Sequence, residues 1–167
     1  DSFTMKSELQ PDIWDGEVIE DDISDRLIEI VNDFMEFCGF TSKDYRDITL
    51  TGSLANYNWS QFSDVDLHII VDLANVDENK ELVQEFFNAK RSLWNRTHDI
   101  DIHGFEVEVY VQDEGEPHVS TGVYSVLNDT WITKPEPSDP KIDFEGVKSK
   151  ASMVMDEIDR AWDLFED

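Results

Sequence analysis

The sequence predicts a mixed α/β (α+β) fold, in which helices pack against a mixed β-sheet. Two kinds of pattern support this prediction. Apolar residues recur at helical spacing in residues 23–38 and 76–95, whereas residues 47–51, 67–71 and 105–111 have the composition and alternation of strands. A chain of 167 residues suits one domain with a sizeable core, and there is no internal repeat.

The N-terminal half divides into an arm, a helix and a strand. Residues 1–22 form a polar arm that we expect to pack over the core through Met5, Leu9, Ile13, Trp14 and Val18. The first helix should begin at Ile23, after Asp22 as its N-cap, and end at Gly39. Asp47–Thr51 then forms a strand.

The second half alternates between both element types. Leu67–Val71 is an apolar, β-branched run typical of a central strand, and Val76 to about Asn95 should form the second helix. Its expected buried stripe is Leu82, Val83, Phe86, Phe87, Leu93 and Trp94. Asp99–Ile102 and Phe105–Val111 read as two strands joined by a His103-Gly104 turn. Further short strands are expected at residues 123–127 and 130–132, joined by an Asn128-Asp129 turn.

The C-terminal part is predicted to lie outside the core of residues 23–132. Residues 133–141 contain three prolines and should form an extended connector. Residues 142–167 have the spacing of an amphipathic helix, which we expect either to pack on the domain or to reach a partner domain.

Charge and composition limit the classes of partner. The chain has 39 acidic and 13 basic residues, a net charge of −26, so a long nucleic acid is disfavoured as a partner. Adaptation to solubility or high salt explains the acidity equally well. A nucleotide accompanied by magnesium remains acceptable, because the metal brings positive charge. No signal peptide or membrane-spanning apolar stretch is found, so we expect a soluble, cytoplasmic protein.

One segment carries the strongest functional signal. Gly52-Ser53 is followed by ten residues and then by Asp64 and Asp66 at the head of an apolar strand. A Gly-Ser turn can offer backbone N–H groups and a hydroxyl to a phosphate. Side chains two apart on a strand share one face, so the two aspartates should converge and hold divalent metal. Of the four histidines, only His68 continues along that face.

A third carboxylate is needed to complete such a metal site. We choose Glu108, with Glu106 as the second candidate, because their strand should lie beside that of the aspartates. Like charges about 4 Å apart repel by about 4 kcal/mol at an effective dielectric of 20, so the cluster should either bind divalent ions or spread apart as ordinary acidic surface. The lone cysteine, Cys38, is expected to be a buried small hydrophobe.

Together, the Gly52-Ser53 turn, Asp64-Val65-Asp66 and the Val107-Glu108-Val109 strand resemble the DNA polymerase β-type nucleotidyltransferase superfamily. The resemblance covers about residues 23–131 and is greatest to the small stand-alone predicted nucleotidyltransferases of phage and bacteria. It implies the nucleotidyltransferase fold and transfer of a nucleoside monophosphate from a triphosphate such as ATP.

The resemblance also implies roles for individual residues. Gly52 and Ser53 would bind the triphosphate, and Asp64 and Asp66 would hold two Mg²⁺ ions. Glu108 would complete the metal set and help to activate the nucleophile. Tyr57 or Trp59 could stack on the base, although core packing is the commoner role, and Lys90 or Arg91 could supply charge that the Gly-Ser loop lacks.

The leading hypothesis is transfer to a hydroxyl of a small-molecule or protein acceptor. The alternative is a non-catalytic binding or regulatory module that keeps the fold and acts through its acidic surface. RNA modification is a third possibility, which suits the charge poorly. The acceptor, the base and the oligomeric state do not follow from the sequence.

Overall fold

A computed structural model describes residues 5–137 and shows a mixed α+β architecture. A six-stranded sheet is formed by β3 (Asp47–Thr51), β4 (Val65–Val71), β5 (Asp101–Ile102), β6 (Phe105–Asp113), β7 (Val123–Ser125) and β8 (Thr130–Thr133). The order of the strands is β5-β6-β4-β3-β7-β8, in which β4 and β6 are parallel and the other neighbours are antiparallel. The predicted mixed sheet is therefore confirmed.

Three helices accompany the sheet within the described residues, namely α1 (Asp21–Phe37), α2 (Leu73–Val76) and α3 (Lys80–Thr97). The parallel strands β4 and β6 are joined through α2 and α3, as a parallel pair requires a crossover. The rings of Phe34 in α1 and Trp94 in α3 meet edge to face at 5.6 Å. None of the helices in this part of the chain is both long and apolar enough to cross a bilayer.

The first helix matches its prediction closely, but the second does not. Helix α1 begins after Glu20 rather than after Asp22, while Gly39 lies just beyond its end with a φ of 90°. The predicted helix from Val76 is wrong at its start: α2 ends at Val76, and α3 begins after Asn79, whose side chain accepts a hydrogen bond from the Leu82 amide. That cap opens a new helix instead of continuing the old one.

Half of the predicted buried stripe of α3 is exposed. Val83, Phe87 and Trp94 are buried, but Leu82, Phe86 and Leu93 are 57%, 40% and 47% exposed. Leu82 and Phe86 instead border a surface groove of about 420 Å³. The buried stripe of α3 is therefore narrower than the helical spacing of its apolar residues predicts.

The N-terminal arm contains an unpredicted hairpin, β1 (Trp14–Asp15) paired with β2 (Val18–Ile19). Leu9, Ile13 and Trp14 are buried in the main core, as expected, whereas Val18 is 46% exposed and is not an anchor. The Trp14 ring stacks on Trp131 of β8 at 4.9 Å. The arm is thus part of the packing of the sheet.

Two further predictions concern the lone cysteine and the C-terminal residues. Cys38 is buried, and burial raises its thiol pKa to about 11, as befits a small hydrophobe. A compact unit ends at Glu136, close to the expected connector of residues 133–141, although Thr133 still belongs to β8. The predicted helix of residues 142–167 lies outside the described residues.

Candidate metal and nucleotide site

Three carboxylates meet at the start of β4. Asp64 directly precedes the strand, Asp66 lies within it, and Glu108 is the direct neighbour of Asp66 in the parallel register with β6. One oxygen of each lies within 4.8 Å of the others. The convergence predicted from strand alternation and from pairing of the two strands is therefore present. Glu106 does not join this group and instead pairs with Asp101 of β5.

The three carboxylates strain one another electrostatically. Burial, followed by the charges of Glu108 and Asp64, raises the pKa of Asp66 to about 6, and the Arg91 charge only partly opposes this. Burial and Glu108 also raise the pKa of Asp64. No Lys or Arg of residues 5–137 forms an ion pair with any of the three. A cation bound among them would relieve this repulsion.

Gly52 allows the end of β3 to lie directly against Asp66. Its φ is 78°, and a Cβ atom built there would fall 2.3 Å from Asp66 Oδ2. Any other residue would be strained in the backbone and would also displace the carboxylate. Two separate features, the positive φ and the close approach to Asp66, therefore require glycine at this position, whereas its predicted binding of triphosphate stays a prediction.

Ser53 opens a single 3₁₀ turn, Ser53–Ala55, rather than an extended helix. Its hydroxyl donates a 2.6 Å hydrogen bond to Ser63 Oγ, which also accepts the Ser60 amide at 2.9 Å. This bond ties together the two ends of the segment between the Gly-Ser turn and Asp64. The turn has no long helix behind it, so only its own amide groups can favour a phosphate.

Tyr110 connects the cluster to a cation. Its hydroxyl donates a 2.6 Å hydrogen bond to Glu108 Oε2, and burial together with this bond raises the Tyr110 pKa to about 12. The Arg91 guanidinium lies 3.9 Å from the Tyr110 ring centre, and its buried Nε has no hydrogen-bond partner among the described residues. Lys90 lies elsewhere, over the rings of Phe37 and Phe86.

Sequence reasoning named Arg91 but missed Tyr110. The signal was present in the alternation of β6, because Tyr110 follows Glu108 by two residues and must share its face. A tyrosine beside a candidate ligand could have been predicted to donate to it.

Tyr57 and Trp59, the two aromatic residues considered for base stacking, pack in or against the hydrophobic core. Tyr57 is only 8% exposed and belongs to the main hydrophobic cluster, which leaves little of its ring for a base. Trp59 is partly buried against the same cluster, and its Nε1 donates to the Glu8 carbonyl at 2.9 Å. Their positions agree with the packing role that was expected to be the commoner one.

His68 lies on the same face as Asp66, as predicted. Its Nδ1 is 2.9 Å from Gln112 Oε1, its ring stacks on Tyr110 at 5.2 Å, and burial lowers its pKa. The histidine therefore belongs to the polar face of the sheet, two residues beyond the carboxylate cluster.

Comparison of the chain with protein-family models, with curated proteins and with solved structures finds no match.

Proposed function

We propose that this protein is a metal-dependent nucleotidyltransferase, which moves a nucleoside monophosphate from a triphosphate to a hydroxyl of a small-molecule or protein acceptor. The observation that carries the proposal is the convergence of Asp64, Asp66 and Glu108 within 4.8 Å beside the Gly52 turn. The order of β3, β4 and β6 in a mixed sheet with a helical crossover is compatible with the nucleotidyltransferase fold.

The donor set suits magnesium. Its three side chains offer only carboxylate oxygens, which hard divalent cations prefer. Burial and the charges of Glu108 and Asp64 raise the pKa of Asp66, and a bound cation would oppose both effects. When bound, one or two such ions would neutralise phosphate charge and make the acceptor hydroxyl more acidic.

The residues of the chain would share the remaining work. Gly52 lets the backbone that precedes the Ser53–Ala55 turn lie directly against Asp66, because a Cβ atom there would overlap the carboxylate. The first amide groups of the Ser53–Ala55 turn have no acceptor within the turn and could bind phosphate oxygens. Glu108 is held by Tyr110 through one oxygen, which leaves the other for metal or for the proton of the acceptor hydroxyl.

The acceptor should be small or proteinaceous. A net charge of −26 repels a polynucleotide backbone, whereas a nucleoside triphosphate arrives with its cation. A cytoplasmic location would agree with the use of nucleoside triphosphates.

The proposal can be tested by calorimetric titration of the protein with magnesium and each nucleoside triphosphate. Asp64→Asn and Glu108→Gln should each weaken binding by about tenfold or more, since each removes a charged ligand. Glu106→Gln is the matched control, because it makes the same change on the same strand outside the cluster, and it should bind almost as the wild type does.

A second measurement separates catalysis from binding. Wild-type protein incubated with a cell extract and α-labelled nucleoside triphosphates should transfer label to an acceptor, and Asp64→Asn should not. Binding of all nucleotides unaffected by Asp64→Asn and Glu108→Gln would reject the proposal. Nucleotide binding without any transfer would favour the non-catalytic binding module.

A further inference from the structure

A cavity of about 320 Å³ opens on the polar face of the sheet, and strand neighbours of Asp66 are among its lining residues. Its lining includes Thr51, His68, Gln112, Glu116, His118 and Val123. Thr51 pairs directly with Asp66 between β3 and β4, and His68 follows Asp66 by two residues on the same face, a distance of about 7 Å along a strand. A molecule in this cavity would therefore have one end close to the cluster.

The hydrogen bonds of Gln112 determine what His68 offers to the cavity. Gln112 is 6% exposed, and its Nε2 donates to the Glu116 carbonyl at 3.3 Å, so its Oε1 faces His68. An amide oxygen only accepts, so the neutral His68 ring carries its proton on Nδ1. His68 Nε2 is then a lone-pair acceptor, and no group within residues 5–137 donates to it.

The charge of the cavity lining also favours a ligand that donates hydrogen bonds. Glu116 contributes a carboxylate, and the part of the lining that the structure describes contains no Lys or Arg, so that the imidazoles of His68 and His118 are its only basic groups. Such a cavity is unsuited to phosphate or carboxylate groups and suits groups that donate hydrogen bonds. Val123 and the neighbouring Pro117 provide apolar wall for a carbon skeleton.

The loop that closes the cavity is fixed to the site segment. Gly122 packs so closely on the Ala55 backbone that a Cβ atom built there would lie 2.0 Å from the Ala55 carbonyl oxygen. Asn56 Nδ2 also donates to Thr121 Oγ1 at 2.6 Å. The cavity wall and the turn that follows Gly52-Ser53 are therefore joined by two separate contacts.

We propose that this cavity holds the acceptor of nucleotidyl transfer, and that the acceptor is a small hydroxyl-bearing amine with an apolar body. The assignment as an acceptor site rests on the proposed function, whereas the preference for amines rests on the lining alone. His68 Nε2 and the Glu116 carboxylate would receive hydrogen bonds from the ligand, whose hydroxyl would extend towards Asp66.

Three ring compounds of similar size test the preference for charge. The ¹⁵N-labelled full chain is titrated with trans-4-aminocyclohexanol, with 1,4-cyclohexanediol and with 4-hydroxycyclohexanecarboxylate while its amide NMR signals are followed. The amine should shift the signals of Thr51 and Ser120 saturably, and it should bind about tenfold more tightly than the carboxylate. Equal or tighter binding of the carboxylate, or no saturable binding of the amine, would overturn the inference.

A matched pair of variants tests the location. Glu116→Gln should weaken binding of the amine by about fivefold or more, since it removes the only carboxylate described in the lining. Glu114→Gln makes the same change on the same loop, where Glu114 pairs with Arg46 outside the cavity, and it should leave the affinity unchanged. Equal effects of the two variants would place the amine elsewhere and reject the cavity.

His68→Phe supplies a further check, because it keeps a ring against Tyr110 and removes the acceptor nitrogen. It should also weaken amine binding, whereas unchanged binding would show that His68 is not a contact. Magnesium-nucleotide titration of the same samples separates the two proposals. Absence of nucleotide binding with amine binding intact would reject the transferase, and with it the acceptor role, but would leave the amine site. Nucleotide binding without amine binding would reject the amine site alone.

Discussion

The two faces of β4 differ sharply, although they share one backbone. Val65, Leu67 and Ile69 are at most 2% exposed and form part of the main core, whereas Asp66 and His68 lie half-buried on the polar face. Burial stabilises the first face through the hydrophobic effect and strains the second by raising the pKa of Asp66. The strand thus contributes to a stable core on one side and to a cluster of mutually repelling carboxylates on the other.

The core face should give the largest effect on stability. Leu67→Ala is expected to lower the free energy of unfolding by about 2–5 kcal/mol, because it leaves a cavity under the sheet. Leu93→Ala is the control, since Leu93 is 47% exposed on α3, and it should cost less than about 1 kcal/mol. Urea unfolding measures both, and equal losses would contradict the assignment of Leu67 to the core.

The contact between β3 and the polar face gives the next largest effect. Gly52→Ala should destabilise the protein by about 1–3 kcal/mol more than Gly104→Ala, because its new Cβ atom overlaps Asp66. Gly104 has a similar φ of 87° but has open space around its Cβ position, so it isolates the cost of backbone strain. Indistinguishable unfolding curves would mean that β3 does not approach Asp66 so closely.

The polar face should respond to mutation with the opposite sign. Without metal at pH 7, Asp66→Asn should raise the free energy of unfolding by about 1–2 kcal/mol, a value reduced for partial exposure. The exposed helix residue Asp33 gives a matched control, Asp33→Asn, with little expected effect. A clear destabilisation by Asp66→Asn would show that the three carboxylates do not repel one another.

The raised pKa of Asp66 also predicts how the free energy of unfolding depends on pH. The folded-state pKa of Asp66 is about 6, above its ordinary value of 3.8, so folding favours the protonated form. This contribution is fully present below about pH 4 and is lost as the pH rises to about 6. Subtracting the unfolding profile of Asp66→Asn from that of the wild type should reveal this fall, and a difference that rises with pH would contradict it.

An effect no larger than that of Asp66→Asn is expected at the link between the carboxylate cluster and Arg91. Tyr110→Phe removes the hydrogen bond to Glu108 and keeps the ring beside Arg91, so it should cost about 1–2 kcal/mol of stability. Tyr45→Phe, which removes a hydroxyl bonded to Asn32, provides a comparison without a charged acceptor and should cost less. A larger loss of stability in Tyr45→Phe than in Tyr110→Phe would contradict this expectation.

Much of the site could be predicted because it depends on short periodicities. Alternation places Asp66 and Glu108 on particular strand faces, and a helical segment between the two strands favours a parallel pair. These rules act within a few residues or one crossover, so the sequence reveals them directly. The turn at His103-Gly104, where both residues have positive φ, is equally local.

The features that were missed depend on contacts between distant parts of the chain. The β1–β2 hairpin has strands of two residues, which are too short to show a period, and Trp14 is fixed by Trp131. The loop that lines the cavity contacts the distant Ala55 backbone through Gly122. The exposure of Leu82 and Phe86 also depends on which residues pack against α3, and helical spacing alone does not determine that.

The central claim is that the carboxylate cluster is a site for a divalent cation. It is tested most directly by following the side-chain carboxyl ¹³C signal of Asp66 during a pH titration, with and without magnesium. We predict a pKa of about 6 without the metal and a value below the ordinary 3.8 with saturating magnesium. A titration midpoint that magnesium does not change would contradict the account.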